Sequence, residues 1–374
     1  MRRTLHLYLF REILAPFLGA LLFLTQLLVV MQLLAQADLI FGAGLPLLVV
    51  GKVILYLLPS MLAYVLPVSF LLGILVGLGR LADDRELTAL AATGHGPHVY
   101  LVTPLCMAAV LGGILLALTT WLEPVGQKNT RALMTTVIKE NLAGGVTPGT
   151  FYEDLSDLTL FAAEVKGRGG RMQKVLVHDA RDPNAPLLVL AERGRIDTKA
   201  PGGAILLQLE KGELHRAESD AKNYAAATFE RAEVSVSVEE ELSRKQKSHR
   251  PMEASTSAEM ATWIERRLAQ GGKYPLDQLV EYHRRFAHPF VMVAFALVGV
   301  AAGGTAAGTR KGGRAIAFGW TLGAVVAYFV LGKVGNHLAD HFVPPAVGAW
   351  IPVGTLMIAA LGFFAWRRTH GGAS

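Results

Sequence analysis

LPVSFLLGILVGLGRLADDRELTALAATGHG, Leu66 to Gly96, is the stretch on which the reading of the chain turns. It is an apolar run that ends abruptly in charge, followed by a short helical pattern and then glycines. Extended back to Ser60, the run reaches Gly79. About 20 residues rising about 1.5 Å each cross the hydrocarbon of a bilayer. Arg80 and Arg85 stand at the exit and suit a cytoplasmic side. Either Asp83 or Asp84 is placed to cap the next helix, and Glu86, three residues after Asp83, completes a capping-box pattern. Leu87, Leu90 and Ala91 then share a face, and Gly94 is placed to end the helix. The spacing predicts a short helix over 83–94 at the cytoplasmic surface, joined rigidly to a span. Such a helix can receive a push from a soluble partner.

The rest of the chain agrees with a membrane protein. Of its 374 residues 52% are apolar, and these are bunched into long uncharged runs rather than spread evenly. The formal net charge of +6 raises the question of nucleic acid, but no basic patch has interleaved aromatics. Lys and Arg instead flank the apolar runs. With one cysteine, Cys106, the chain has no internal disulfide, so any soluble part rests on its own core. Ile13 to Ala35 is too long for a signal-peptide core and reads as a retained first span. Arg2, Arg3 and Arg11 place its start in the cytoplasm, and Pro16 falls near its first turn. Leu45 to Gly79 is too long for one upright helix, and Pro59 and Pro67 are expected to break or kink it. That predicts an interfacial helix over 45–58 and a second span from about Ser60. Val99 to Trp121 is the third span, which puts Glu123 outside.

From Glu123 to about Tyr274 the composition is that of a soluble domain. Gln127 to Asn141 reads as a helix leaving the membrane. Strand signals follow in LTLFAAEV, KVLVHD, PLLVLAERG, ILLQLEKGELHR and FERAEVSVSV, with turn signals between them. Val234, Val236 and Val238 alternate with Ser235 and Ser237, which predicts one apolar and one solvent-facing side. This pattern suggests a sandwich or jelly roll. Ser243 to Ser257 reads as a linker and Ala258 to Gln270 as a short amphipathic helix. Three further spans, about 286–308, 315–338 and 347–366, close the chain. Arg310, Lys311 and Arg314, and then Arg367 and Arg368, put the intervening loop and the C-terminus in the cytoplasm. The expected fold is α-helical, with six transmembrane helices and an inserted periplasmic β-jelly-roll-like domain. Its segments are 1–122, 123–275 and 276–374.

The chemistry-bearing residues are few. No G-x-x-x-x-G-K-[ST] occurs, since Gly51-Lys52, Gly272-Lys273 and Gly332-Lys333 are each followed by the wrong residue. Energy therefore comes from a partner, a gradient or nowhere, and no cofactor is expected on this chain. No triad or metal spacing marks an enzyme. His337 and His341, with Asp340 between, have i, i+4 metal-pair spacing but no third ligand; they read as interfacial residues. Lys333 either snorkels or meets an anionic headgroup. His283, Arg284 and Arg285 are either interfacial anchors or partners of lipid phosphate. Gln26, Gln32 and Gln36 in and just after the first span can pair with neighbouring helices.

Leu66 to Gly94 resembles the second span and coupling helix of the LptF/LptG permeases, the membrane subunits of the ABC exporter of lipopolysaccharide. LHLYLFREILAPFL and YHRRFAHPFVMVAFALVG resemble that family's first and fourth spans, and the order of segments is kept. NLAGGVTPGTF and YHRRFAHPF lean towards its LptF side. The resemblance implies a bacterial inner-membrane protein with both termini cytoplasmic and the β domain periplasmic. Its implied partners are a second permease chain, a cytoplasmic ABC ATPase dimer that uses the ATP, a periplasmic bridge protein and lipopolysaccharide, with no nucleic acid. It implies an ATPase groove that receives the coupling segment, here Asp83, Asp84, Arg85, Glu86, Leu87, Leu90 and Gly94, with Glu86 as the principal polar contact. Basic residues near the outer end of the family's first span meet lipopolysaccharide phosphates. Here Gln32, Gln36 and Asp38 stand there, leaving Lys52 or partner charges as substitutes. Arg284, Arg285 and Lys333 complete the lipid-cavity candidates. Three rival expectations are an exporter of another lipid or lipoprotein, a non-transporting scaffold or sensor that needs no ATPase, and an intramembrane enzyme, which the missing catalytic set disfavours.

Overall fold

The structure is a computed structural model that describes residues 2–35, 46–93, 97–144, 148–155, 158–166, 171–180, 186–197, 205–217, 224–236, 255–270, 275–306 and 313–370. Its contacts divide the chain into two units, Met1–Gln127 with Met252–Ser374, and Lys128–Pro251.

The first unit is helical. Its elements begin with α1 (Arg2–Ala35), α2 (Leu47–Asp83), α3 (Glu86–Ala92) and α4 (Pro97–Ala117). A π-helical turn, Leu118–Leu122, runs without a break into α5 (Glu123–Gly144), of which Lys128 to Gly144 belongs to the second unit. After the β unit come α6 (Ser257–Ala269), α7 (Leu276–Ala287), a 3-10 turn at His288–Phe290, α8 (Val291–Ala306), α9 (Gly313–His341) and α10 (Pro345–His370). Among the described residues six helical segments are long and apolar enough to cross a membrane. In the most apolar windows of α2 and of the α7–α8 segment, 72% and 67% of residues are buried, against 11% in α1 and 17% in α9. The bundle is therefore built around α2 and α8, and α1 and α9 present most of their apolar surface outward.

Small residues let the central helices approach closely, the usual device where lipid removes the hydrophobic drive between helices. A Cβ on Gly73 would lie 2.6 Å from that of Phe17, and one on Gly77 would lie 2.7 Å from the Glu12 carbonyl oxygen. On α8, Gly299 meets Ile74 and Gly303 meets Leu78, with a Cβ on the latter only 2.9 Å from the leucine Cβ. Two i, i+4 glycine pairs thus seat α2 between α1 and α8.

The prolines of α2 do not divide it. It is one helix of 37 residues, which corrects the separate interfacial helix expected over 45–58: neither Pro59 nor Pro67 breaks it. Pro67 has no N–H for the carbonyl four residues earlier, that of Ala63. His288 replaces it: its Nε2 lies 3.0 Å from the Ala63 oxygen. With Nε2–H donating, Nδ1 accepts from the Tyr328 hydroxyl of α9. The ring thus joins α2 to α9 where an orphan carbonyl would otherwise be buried. The break falls in the fourth span instead, at His288-Pro289, where the 3-10 turn separates α7 from α8. The helix expected over 258–270 is present as α6. Thr256 caps it, accepting from Glu259 N at 3.3 Å while Glu259 Oε2 accepts from Thr256 N at 2.8 Å.

The second unit carries β1 (Phe151–Leu155), β2 (Leu158–Lys166), β3 (Arg171–Asp179), β4 (Leu187–Asp197), β5 (Ile205–Ala217) and β6 (Tyr224–Val236). They form one antiparallel sheet in the order β1 to β6, each strand beside its sequence neighbours, and the sheet is not closed. This is the inserted β domain. One face is apolar: Leu160 and Ala162, Val175 and Val177, Val189 and Ala191, Leu207 and Leu209 are all buried. On β6 Val234 packs against this core and Ser235 is exposed, in the expected alternation. The side chain of Val236 and all of Val238 lie outside the described residues.

The alternation breaks once in each of five strands, at the same level. On β3 the inward residues pass from Met172 to Val175, on β4 from Ala191 to Gly194, on β5 from Leu209 to Gly212 and on β6 from Phe229 to Ala232. Ala162 and Val165 do the same on β2. Two consecutive residues per strand are then free of the core, and they are charged in a repeating pattern: Glu192-Arg193, Glu210-Lys211, Glu230-Arg231. Antiparallel register sets opposite charges side by side, with Arg193 facing Glu210 and Glu210 facing Arg231. Lys174 and Lys211 stand at this crease with φ of 51° and 50°, the left-handed region that a side chain rarely adopts. Gly194 and Gly212 follow it, and a Cβ on Gly194 would come within 2.9 Å of Val175 Cγ2. Glu210→Lys places like charges opposite both arginines. Cross-strand pairs contribute roughly 0.2–1 kcal/mol each. Hydrogen exchange of the full chain should therefore show β5 amides losing about tenfold in protection, recovered by adding Arg193→Glu and Arg231→Glu. Unchanged protection would deny the crease its charge pairing.

Candidate functional site

The last turn of α2 and the start of α3 form a compact polar platform. Arg80 Nη1 lies 3.3 Å from Glu12 Oε2 on α1, and its Nε lies 3.9 Å from Asp84 Oδ2. Arg80 is largely exposed, so these pairs orient more than they stabilise. Asp84 N donates to the Arg80 carbonyl and Arg85 N to that of Ala82, closing α2. Arg85 has φ of 57°, and this left-handed residue turns the chain into α3.

The capping box expected from Asp83 and Glu86 is absent. Asp83 is the last residue of α2, and Glu86 is the first of α3 rather than its third. The α2 ladder runs further than the sequence suggested, which leaves only Asp84 and Arg85 for the turn. Glu86 is held differently: the Tyr8 hydroxyl of α1 donates to its Oε1 at 3.1 Å. Nearby, His6 Nδ1 lies 2.9 Å from Thr103 Oγ1, tying α1 to α4 at the same level.

The leucine face of α3 points into its own chain. Leu87 is only 4% exposed in the main core, and Leu90 is half-buried against it. These leucines anchor α3 to the bundle. The residues left outside are Asp83, Asp84, Arg85, Thr88, Ala89, Ala92 and Thr93. Gly94 and the side chain of Ala91 lie outside the described residues. Tyr8, which sequence reasoning missed, is itself exposed beside Glu86. Its signal was weak, a single tyrosine near the N-terminal basic cluster.

The lipid-cavity candidates fall into different settings. Arg285 is 5% exposed, its Nη1 donating to the Ser255 carbonyl at 2.7 Å and its Nε to Glu281 Oε1 at 3.4 Å. Its own carbonyl accepts from Thr119 Oγ1 of the π-helical turn at 3.0 Å. Arg284 pairs with Glu281 but stays half-exposed. Lys52 on α2 and Lys333 on α9 are exposed, and Gln32 on α1 is half-buried. Gln36 and Asp38 lie outside the described residues. The rings of His337 and His341 stand 5.0 Å apart. Among the described residues no three His, Cys, Asp or Glu side chains gather as a metal site.

The family model for the lipopolysaccharide export system permease LptF/LptG matches residues 7–368. No curated protein matches the chain.

Proposed function

The chain belongs to the lipopolysaccharide export permease LptF/LptG family, and on that footing we propose that it is one of two permease chains through which a separate ABC ATPase dimer drives lipopolysaccharide out of the inner membrane. It is a multi-pass inner-membrane protein with an inserted β domain. Both termini face the cytoplasm and the β domain the periplasm, an orientation supported by the basic residues that flank the spans.

The observation that carries the reading is the seating of α3. It follows directly on the central helix α2, is pinned to the core by Leu87 and is tied to α1 through Glu86. Asp83, Asp84, Arg85 and the outward side of α3 meet the ATPase groove, with Glu86 as the principal polar contact. Closure of the nucleotide-loaded dimer moves α3, and with it α2. That helix has no break along its 37 residues, so motion at its cytoplasmic end is carried to the opposite end of the helix. The poorly covered sides of α1 and α9 suit the second permease chain, which completes a lipid cavity between the two. Gln32, Lys52, Arg284 and Lys333 line that cavity, joined by Gln36, and the basic ones meet phosphate. Arg285, fully engaged with Glu281 and Ser255, holds the cavity wall. The β domain's apolar face takes acyl chains and passes the lipid to a periplasmic bridge protein.

Native mass spectrometry of the gently purified complex tests the assignment. It should show this chain with a second permease, two ATPase copies and bound lipopolysaccharide. A different lipid mass would reassign the cargo to another lipid or lipoprotein. A chain that never carries an ATPase would make it a scaffold or sensor.

A further inference from the structure

We infer that Tyr8 is a positioning residue for energy coupling, holding one oxygen of the Glu86 carboxylate so that the other faces a basic side chain of the ATPase. The inference rests on the proposed role of α3. Glu86 opens a helix of seven residues, where a carboxylate has no neighbouring turn to brace it. Its Oε1 accepts from the Tyr8 hydroxyl at 3.1 Å, and Oε2 has no protein partner among the described residues. A long acidic side chain samples several rotamers, and ordering it at the moment of docking costs affinity. The tyrosine removes much of that cost beforehand. Tyr8 sits on α1 about one and a half helical turns before Ile13 and about two and a half before Phe17, the residues that seat α1 on the α2 glycines. Tyr8 therefore reports the α1–α2 packing to the docking surface. A phenol also leaves the carboxylate its full charge, where a lysine or arginine at position 8 would neutralise it. The partner group this arrangement suits is a cation, for which a half-occupied carboxylate is a strong acceptor.

The test is a double-mutant cycle on the complete permease pair in nanodiscs, titrated with the purified ATPase. Tyr8→Phe should weaken binding by about fivefold to tenfold, the scale of one ordinary hydrogen bond, because water screens this exposed one. Its heat stability should match the parent, since the exposed hydroxyl supports no core contact. Glu86→Ala should weaken binding at least as much. In the Glu86→Ala background, Tyr8→Phe should change binding by less than about twofold. Equal effects of Tyr8→Phe in both backgrounds would overturn the inference, because the tyrosine would then act through packing. So would parent-like binding by Tyr8→Phe beside a weakened Glu86→Ala, which leaves the coupling role of α3 intact. If Glu86→Ala itself binds normally, the coupling reading of Glu86 falls, and the inference with it.

Discussion

Leu87→Asp should leave the protein inserted in the membrane and free of its ATPase. Among the described side chains of α3, Leu87 is the fully buried anchor, at 4% exposure. Removing a buried leucine side chain costs about 2–5 kcal/mol, and a carboxylate in its place has no partner in an apolar core. A helix of seven residues has almost no stability of its own, so it survives only docked. The substitution should therefore detach α3 while the span packing around Phe70, Phe295 and the glycine pairs persists. Co-purification should show the ATPase lost and the permease present in normal amount. Leu87→Met, which roughly conserves volume, should keep both. Normal ATPase recovery with Leu87→Asp would remove α3 from the coupling pathway.

Arg285→Ala should be strongly destabilising in the helical unit. It strips a guanidinium that is 95% buried by side chain from Glu281 and from the Ser255 carbonyl. Breaking one partner from a buried ion pair costs about 3–5 kcal/mol, because the remaining charge stays without compensation. Glu281 keeps Arg284 and some solvent, so the lower end of that range applies, about 3 kcal/mol. Arg284→Ala should cost less than about 1 kcal/mol, as an exposed pair does. Unfolding in mixed micelles against added SDS separates the two. Arg285→Lys should fall between them, since an ammonium cannot reach both acceptors as a planar fork does. Similar losses from Arg284→Ala and Arg285→Ala would mean that Arg285 is not a structural tie.

The spans were legible because long uncharged runs flanked by Arg and Lys have few other readings, and all six appear among the described residues. Where the sequence misled, tertiary partners decided. Pro67 looked like a breaker in α2, but His288, distant in sequence, fills the missing hydrogen bond. Asp83 looked like a cap, but α2 packing extends the helix through it. The leucine stripe of α3 was visible as a stripe, yet nothing local says whether a partner or the chain's own core covers it. Strands β2 to β6 announced themselves through apolar runs. β1, Phe151–Leu155, is a short edge strand with an irregular register and no alternation to find. The crease across the sheet was readable in principle. AERG, LEKG and FERA repeat an apolar–Glu–basic–small pattern on three successive strands, and antiparallel register turns that repeat into charge pairs. Arg285 could not be told from Arg284, because only the fold turns one towards Ser255.

The most direct measurement is lipid release. The permease pair and its ATPase, reconstituted in proteoliposomes loaded with lipopolysaccharide, would be given ATP and a soluble lipopolysaccharide-binding acceptor. The account predicts transfer to the acceptor that requires ATP hydrolysis, fails with Leu87→Asp and slows with Glu86→Ala. ATP hydrolysis with no lipid reaching the acceptor, or transfer that proceeds without ATP, would contradict it.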